Sequence, residues 1–208
     1  MAGSKQIALV DYGSGNLRSV AKALERVGAE VVLVARADAL PTAAAALVVP
    51  GVGAFGDCVE KLRESGLWDS ISGWLRAGRP YLGICLGYQL LFEQSEEMPD
   101  VKGLGWFRGN VRRFPSNGIK VPHIGWNTLD FREPRSPLYR GLPPAPHVYF
   151  VHSYFPAPTD PSIVSATTAY GPGFAASVSS GNVHGMQFHP EKSQAVGLSI
   201  LANFVASV

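Results

Sequence analysis

Continuously apolar runs alternate with helical patterns along the first half of the chain, and this alternation constrains the fold most. The runs predict four strands, at Gln6–Asp11, Glu30–Val34, Ala46–Val49 and Tyr81–Ile84. Apolar residues also recur at helical spacing from Leu17 to Val27 and over Gly66–Ala77. Buried strands separated by helices are typical of a parallel sheet covered on both faces. We therefore predict an α/β fold with a mostly parallel central sheet flanked by helices.

The second half predicts shorter elements in a different arrangement. Residues 103–146 are rich in Gly, Pro and Arg, with extended pieces at Val111–Phe114 and Trp126–Leu129. Three further strands and a closing helix are predicted at His147–Phe155, Ile163–Tyr170, Val183–Phe188 and Gly197–Val205. The close spacing of these strands indicates antiparallel hairpins, which we expect to be less buried than the first four strands. No change of composition marks a linker, so we predict a single domain over residues 1–208.

Composition excludes several classes of protein. The net charge of the 208 residues is only +2, too small for a polycation that would bind nucleic-acid phosphates. Two cysteines with no Cys-x-x-Cys pair favour neither a disulfide scaffold nor a zinc site. No apolar run reaches the roughly 20 residues of a membrane span, and the N-terminus lacks a signal-peptide pattern. We expect a cytoplasmic protein with reduced thiols and no metal or organic cofactor.

The segment Gly83-Ile84-Cys85-Leu86-Gly87 is the most informative part of the sequence. It follows the fourth predicted strand and opens a predicted amphipathic helix with Leu86, Leu90 and Leu91. Gly-x-Cys-x-Gly is the thiol counterpart of the nucleophile elbow, a tight turn with glycine on both sides that exposes the nucleophile. The N-terminus of the following helix would stabilise a thiolate. The alternative is a buried core cysteine beside a glycine turn.

A thiolate nucleophile needs a base and a group that orients the base, and His189 is the candidate base that stands out among the five histidines. It follows an apolar strand and is the first residue of the segment His189-Pro190-Glu191. In an extended segment stiffened by Pro190, Glu191 would reach one ring nitrogen while the other faces Cys85. The alternatives are a strand-end turn and a metal site, although further ligands at useful spacing are missing. Cys58 has no such setting and is interpreted as a packing residue.

Glycines follow the third predicted strand in Pro50-Gly51-Val52-Gly53. Main-chain N–H groups in such a loop can stabilise the oxyanion of a tetrahedral intermediate, together with the N–H of Leu86 after the nucleophile. An ordinary loop and a phosphate-binding loop are the alternatives, although the sequence has no Gly-x-Gly-x-x-Gly or Walker pattern.

Six motifs, taken in order, resemble the class I (triad) glutamine amidotransferases and, among them, the glutaminase subunits of imidazole glycerol phosphate synthase. They are Asp11–Leu17, Pro50–Phe55, Leu82–Leu91, Lys120–Asn127, Tyr149–Tyr154 and Gly185–Gln194. The resemblance extends over nearly the whole chain and departs at Tyr88, where the family often has Met. It implies a flavodoxin-like sheet with an antiparallel C-terminal extension.

The resemblance also implies a function. The protein would hydrolyse L-glutamine to glutamate and ammonia through Cys85, His189 and Glu191. In a heterodimer, it would pass the ammonia to a (β/α)8-barrel cyclase subunit, which forms imidazole glycerol phosphate and AICAR phosphate in histidine biosynthesis. No cofactor is implied.

Further roles are carried over from the family motifs to individual residues. Main-chain donors are expected at Gly51, Gly53 and Leu86, and glutamine-binding side chains at Gln89 and Ser153. Three residues are expected to face the partner subunit: Asn16, Trp126 and Tyr149. For Trp126 and Tyr149, a place in the hydrophobic core is the alternative.

Other functions stay open at this point. Another synthase, such as anthranilate or pyridoxal phosphate synthase, would use the same glutaminase chemistry, but Lys120–Asn127 and Tyr149–Tyr154 argue against both. A cysteine hydrolase or protease of another α/β family would share the elbow cysteine without the late His-Pro-Glu. A non-catalytic binding module predicts loss of the triad residues, and all three are present.

Overall fold

The computed structural model describes residues 4–13, 16–116 and 118–208. Helices and strands alternate in the first half of the chain, as the apolar pattern predicts, and strands dominate from residue 94 to residue 186. The strands are β1 Gln6–Val10, β2 Glu30–Val34, β3 Ala46–Val49, β4 Tyr81–Ile84, β5 Gln94–Ser95, β6 Met98–Lys102, β7 Gly109–Arg113, β8 His123–Thr128, β9 Asp130–Phe131, β10 His147–His152, β11 Tyr154–Pro158, β12 Val164–Thr168, β13 Phe174–Ser180 and β14 Val183–Met186. The α-helices are α1 Leu17–Arg26, α2 Phe55–Glu64, α3 Leu67–Arg76, α4 Leu86–Gln89 and α5 Gln194–Ser207. Short 3-10 helices lie at Ala37–Ala39, Pro137–Tyr139, Pro161–Ile163 and Pro190–Lys192.

Within this described part, a sheet of eight strands organises the molecule, in the order β2-β1-β3-β4-β14-β13-β12-β9. The strands from β2 to β14 in that order pair in parallel, and β13, β12 and β9 extend the sheet antiparallel. The predicted mostly parallel sheet with an antiparallel extension is confirmed. The strand β14 is not only part of a hairpin, because it also pairs in parallel with β4, with Met186 opposite Ile84. This pairing brings the chain after β14 to the elbow after β4.

Side chains alternate between the two faces of the large sheet, and helices cover each face. Ile7 and Leu9 of β1 pack in a core with residues of α1 and α5. Ala8 and Val10 point the other way, into a core with residues of α2 and α3. The prediction of helices on both faces is confirmed. The single domain over residues 1–208 stays a prediction.

Several predicted elements differ from the observed ones. The helix α2 and the strand β13 were not predicted, and the predicted strand His147–Phe155 is two strands. The chain changes partners at Ser153, because β10 pairs with β8 whereas β11 pairs with β7 in a separate sheet with β5 and β6. The helix after Cys85 is a single turn that ends at Gln89, and it is buried all round rather than amphipathic.

The expected difference in burial between early and late strands is wrong. All residues of β14 are buried, because it lies in the middle of the sheet. The early strand β2 lies at the sheet edge, where Leu33 is 53% exposed. Across the described ranges, every helix is too short or too polar to span a membrane.

Candidate active site

Cys85 occupies a sharp turn between β4 and α4. Its backbone dihedral angles are φ 54° and ψ −106°, a conformation that residues other than glycine rarely adopt. A Cβ atom on Gly83 would overlap the backbone of Gly87, and one on Gly87 would overlap the carbonyl oxygen of Val49. Both glycines are therefore required by close approach of backbone to backbone. The thiol of Cys85 is largely buried, with 7% of the residue exposed.

His189 and Glu191 form a buried pair beside this turn. His189 Nδ1 lies 2.7 Å from Glu191 Oε1, and the two side chains are 2% and 0% exposed. Pro190–Lys192 is a turn of 3-10 helix, so Glu191 reaches the ring through that turn and not through the extended segment that the sequence suggested. Nε2 of His189 is buried and has no hydrogen-bond partner among the described residues. This ring nitrogen is therefore available for chemistry.

The surrounding charges decide the protonation of His189. Burial lowers the pKa of His189, but the adjacent charge of Cys85 and the Glu191 carboxylate reverse this and raise it to about 10. The site therefore favours an imidazolium at His189. For the other cysteine of the chain, burial raises the pKa of the Cys58 thiol to about 12. A thiol of that kind suits the packing role expected for Cys58.

The loop after β3 lies against the elbow. The N–H of Leu86 donates to the carbonyl oxygen of Gly51 at 3.4 Å, so one of the three expected oxyanion donors is already occupied. Gly53 has a φ of +100° and lines the cleft beside Cys85. The loop thus presents a carbonyl group to Leu86 in this arrangement. A rotation of the peptide would be needed before it could present an N–H group.

A cleft of about 420 Å³ opens at Cys85. Its walls include the predicted residues Gly53, Leu86, Gln89 and Ser153, together with Val52, Glu97, Pro122, Val151, His152, Tyr154 and Lys192. A cavity of about 430 Å³ lies near Pro80 and Asn182, at the amino ends of β4 and β14 and so away from Cys85. In the described ranges, no group of three His, Cys, Asp or Glu side chains could hold a metal ion.

Two polar residues near Cys85 were missed by sequence reasoning. Glu97 lies in the cleft wall, where its Oε2 accepts from the N–H of Phe55 at 2.8 Å. No sequence signal separates it from an ordinary surface glutamate. Gln187 is fully buried, and its Nε2 lies 3.6 Å from Cys85 Sγ. Its position two residues before His189 was an available signal, because alternate residues of an extended strand share a face.

The three residues expected to face a partner lie in different settings. Asn16 donates through Nδ2 to Glu191 Oε1, so it contacts the candidate triad directly. Trp126 is 45% exposed and is not a core residue, and Tyr149 packs edge-on against it with ring centroids 6.0 Å apart. Two residues of the Asp11–Leu17 motif, Ser14 and Gly15, lie outside the described residues.

The chain is similar to known proteins over almost its whole length. The family model for class-I glutamine amidotransferases matches residues 8–208. The chain is 52% identical to the imidazole glycerol phosphate synthase subunit HisH of Thermosynechococcus vestitus, covering 97% of both chains. It is 51% identical to the subunit HisH of Geobacillus kaustophilus, covering 96% of this chain and 95% of that one.

A solved structure described as a glutamine amidotransferase is similar in fold, with a TM-score of 0.75 at 24% identity. That similarity covers 97% of this chain and 99% of the other, and it shows the fold alone. The sequence identities to the HisH subunits assign the chain to a narrower family than the fold does. The chain belongs to the class-I glutamine amidotransferases and, within them, to the HisH subunits of imidazole glycerol phosphate synthase.

Proposed function

We propose that this chain, acting as one domain over residues 1–208, hydrolyses L-glutamine to glutamate and ammonia through Cys85, His189 and Glu191. The observation that carries the proposal is the buried His189–Glu191 pair at the elbow cysteine, with the pKa of His189 raised to about 10. An imidazolium beside a thiolate is the ion pair from which nucleophilic attack on an amide can begin.

Each residue has one role in the reaction. The Cys85 thiolate attacks the side-chain carbonyl carbon of glutamine and forms a tetrahedral intermediate. His189 gives a proton from Nε2 to the leaving nitrogen, ammonia departs, and a thioester remains on Cys85. His189 then takes a proton from water, whose oxygen attacks the thioester and releases glutamate. Glu191 accepts from Nδ1–H throughout, so it orients the ring and stabilises the imidazolium.

The cleft suits an amino-acid substrate. Glu97 supplies a carboxylate that complements the ammonium group of free glutamine, and Gln89 and Ser153 offer polar groups on the same walls. Amino-acid recognition of this kind needs few polar groups in a cleft of this size. We assign substrate binding to these three side chains.

The relatives are named as subunits of a synthase, which supports transfer of the ammonia to a second subunit. We propose a heterodimer with a (β/α)8-barrel cyclase that uses the ammonia to form imidazole glycerol phosphate and AICAR phosphate in histidine biosynthesis. The exposed apolar side chains Val52, Ile124 and Trp126 would meet the partner, together with Tyr149 and Asn16. A closed interface keeps ammonia from being protonated in water. Free cysteines support a cytoplasmic location.

The contact between Leu86 and Gly51 predicts slow turnover of the subunit alone. One oxyanion donor is occupied, and the loss of one such donor typically lowers kcat by about a hundred- to a thousand-fold. A partner that binds the rotated loop better than the resting loop would activate the enzyme without touching Cys85.

The test measures ammonia release from glutamine in the complex with the cyclase subunit. Cys85→Ala should abolish glutamine-dependent synthesis, whereas ammonium salts should still support the cyclase reaction. His189→Ala should be nearly as damaging, and Glu191→Ala less so, since Glu191 moves no proton. Full glutaminase activity in Cys85→Ala, or a larger loss in Glu191→Ala than in His189→Ala, would overturn the assigned roles.

A further inference from the structure

The sulfur of Cys85 has a second polar neighbour besides His189. Gln187 Nε2 lies 3.6 Å from Cys85 Sγ, within the range of a hydrogen bond to sulfur. Gln187 is fully buried, and none of the steps above uses it. A buried amide without hydrogen-bond partners would destabilise the fold. The hydrogen-bond partners of the Gln187 amide therefore indicate its role.

The orientation of the Gln187 amide follows from the carbonyl group of Tyr154. A carbonyl oxygen only accepts hydrogen bonds, so the atom of Gln89 that lies 3.1 Å from Tyr154 O must be its NH2 group. The same NH2 group lies 3.1 Å from Gln187 Oε1, which therefore accepts. Gln187 must then turn its own NH2 group toward Cys85.

Two buried histidines, His152 and His123, form hydrogen bonds that lead to the same carbonyl group of Tyr154. His152 Nδ1 lies 2.8 Å from the same carbonyl oxygen and must carry the hydrogen. Burial lowers the pKa of His152 to about 3, so the ring is neutral and its Nε2 accepts from His123 Nδ1 at 3.1 Å. The carbonyl of Tyr154 thus accepts from two fixed donors, His152 Nδ1 and Gln89 Nε2. The direction of each hydrogen bond that leads from there to Cys85 is therefore determined.

We infer that Gln187 is a positioning residue that donates to the Cys85 sulfur, holds it in place and stabilises its thiolate form. A hydrogen bond to an ionised acceptor is about twice as strong as a neutral one, which favours this role. Through Gln89, the same amide links the nucleophile to a wall of the substrate cleft. The inference rests on the proposed glutaminase function, but the contact with Cys85 needs no substrate.

Two variants separate donation from packing. Gln187→Glu keeps an oxygen for Gln89 and replaces the donor to sulfur by a carboxylate oxygen. Gln187→Met fills the volume without any donor. Met186→Leu is the matched control, because Met186 is equally buried in β14 and belongs to the core on the α1–α5 face.

Each variant is assayed in the complex with the cyclase subunit for kcat and KM with glutamine. We expect kcat to fall by about 10- to 100-fold in both Gln187 variants, with KM nearly unchanged, and more in Gln187→Glu than in Gln187→Met. Met186→Leu should resemble the wild type.

The second measurement follows the alkylation of Cys85 by iodoacetamide as a function of pH, without glutamine. The midpoint of this profile should move to higher pH by about one to two units in the Gln187 variants. A midpoint that stays at the wild-type value overturns the inference, whatever happens to kcat. A rise in KM alone would instead make Gln187 a substrate-binding residue and would also refute it.

The two proposals fail in different ways. A wild-type complex that releases no ammonia from glutamine refutes the glutaminase function, while the alkylation profile still reports on Gln187. Circular dichroism and thermal unfolding check that the variants are folded. If neither Gln187 variant folds, Gln89→Met removes the group that fixes the amide orientation. It should move the same midpoint upward, and an unmoved midpoint there counts against the inference.

Discussion

Because the backbone of Cys85 is strained, we expect glycine to be more stabilising than alanine at this position, which is the reverse of the usual order. Alanine normally stabilises a protein relative to glycine, by about 1 kcal/mol inside a helix. At position 85 the φ of 54° and ψ of −106° favour glycine instead. We therefore expect Cys85→Gly to be more stable than Cys85→Ala, although both lack the nucleophile.

The magnitude follows from three contributions. Strain of this kind costs about 1–3 kcal/mol for a residue with a Cβ atom, and glycine removes most of it. Relative to alanine, glycine lowers the stability by about 0.5–1 kcal/mol because the unfolded chain has more freedom. It lowers the stability by about 0.8 kcal/mol more because it lacks one buried methyl group. At the middle of these ranges, Cys85→Gly is more stable than Cys85→Ala by about 0.5 kcal/mol. For a chain of this length this corresponds to roughly 1–2 °C in Tm.

Urea unfolding and thermal unfolding of both variants measure this difference directly. Ala21→Gly, at a partly buried position inside α1, is the control and should be less stable than the wild type by about 1 kcal/mol. If Cys85→Ala proved at least as stable as Cys85→Gly while the control behaved normally, the elbow would store no strain and the reasoning would be refuted.

Two further predictions concern titratable groups. Burial lowers the pKa of His152 to about 3 and that of His123 to about 4, whereas both are near 6.5 in an unfolded chain. The unfolded chain therefore binds more protons between pH 6.5 and 4, so the free energy of unfolding should be unaffected by these groups above pH 6.5. The free energy of unfolding should fall as the pH drops through that window, by about 2.5 kcal/mol for His152 between pH 7 and 4.5. Urea unfolding across this range measures the slope, and a wild-type slope unchanged in His152→Gln would contradict the assignment. A glutamine-like electrophile should label Cys85 and spare Cys58, whose thiol stays protonated, and mass spectrometry that finds Cys58 modified first would reverse that ranking.

The sequence predicted those parts of the fold that depend on local pattern. The bounds of Glu30–Val34, Ala46–Val49 and Tyr81–Ile84 agree with the structure. Such short apolar runs leave little choice, and Pro50 and Pro80 directly adjoin two of them. The strand β13 was missed, since its Ala and Ser residues carry a weak apolar signal. The burial of β14 depends on its pairing with β4, and no local pattern reports such a contact.

The site shows the same difference between what short segments of sequence indicate and what depends on contacts across the fold. Cys85, His189 and Glu191 were named because turn chemistry and spacing within short segments pointed to them. The roles of Glu97 and Gln187 depend on which elements meet across the fold. The occupied N–H of Leu86 depends on the orientation of one peptide group in a glycine loop, which the residue types leave free.

The glycines around the nucleophile also limit how this scaffold can be engineered. Gly51 approaches Leu86 so closely that a Cβ atom would lie 2.7 Å from the Leu86 Cβ, and Gly83 and Gly87 are closed to side chains in the same way. A mutational library that randomises these positions would therefore consist almost entirely of misfolded members. New amide substrates would have to be sought by varying other residues that line the cleft, such as Glu97 and Ser153, because these changes leave the turn intact.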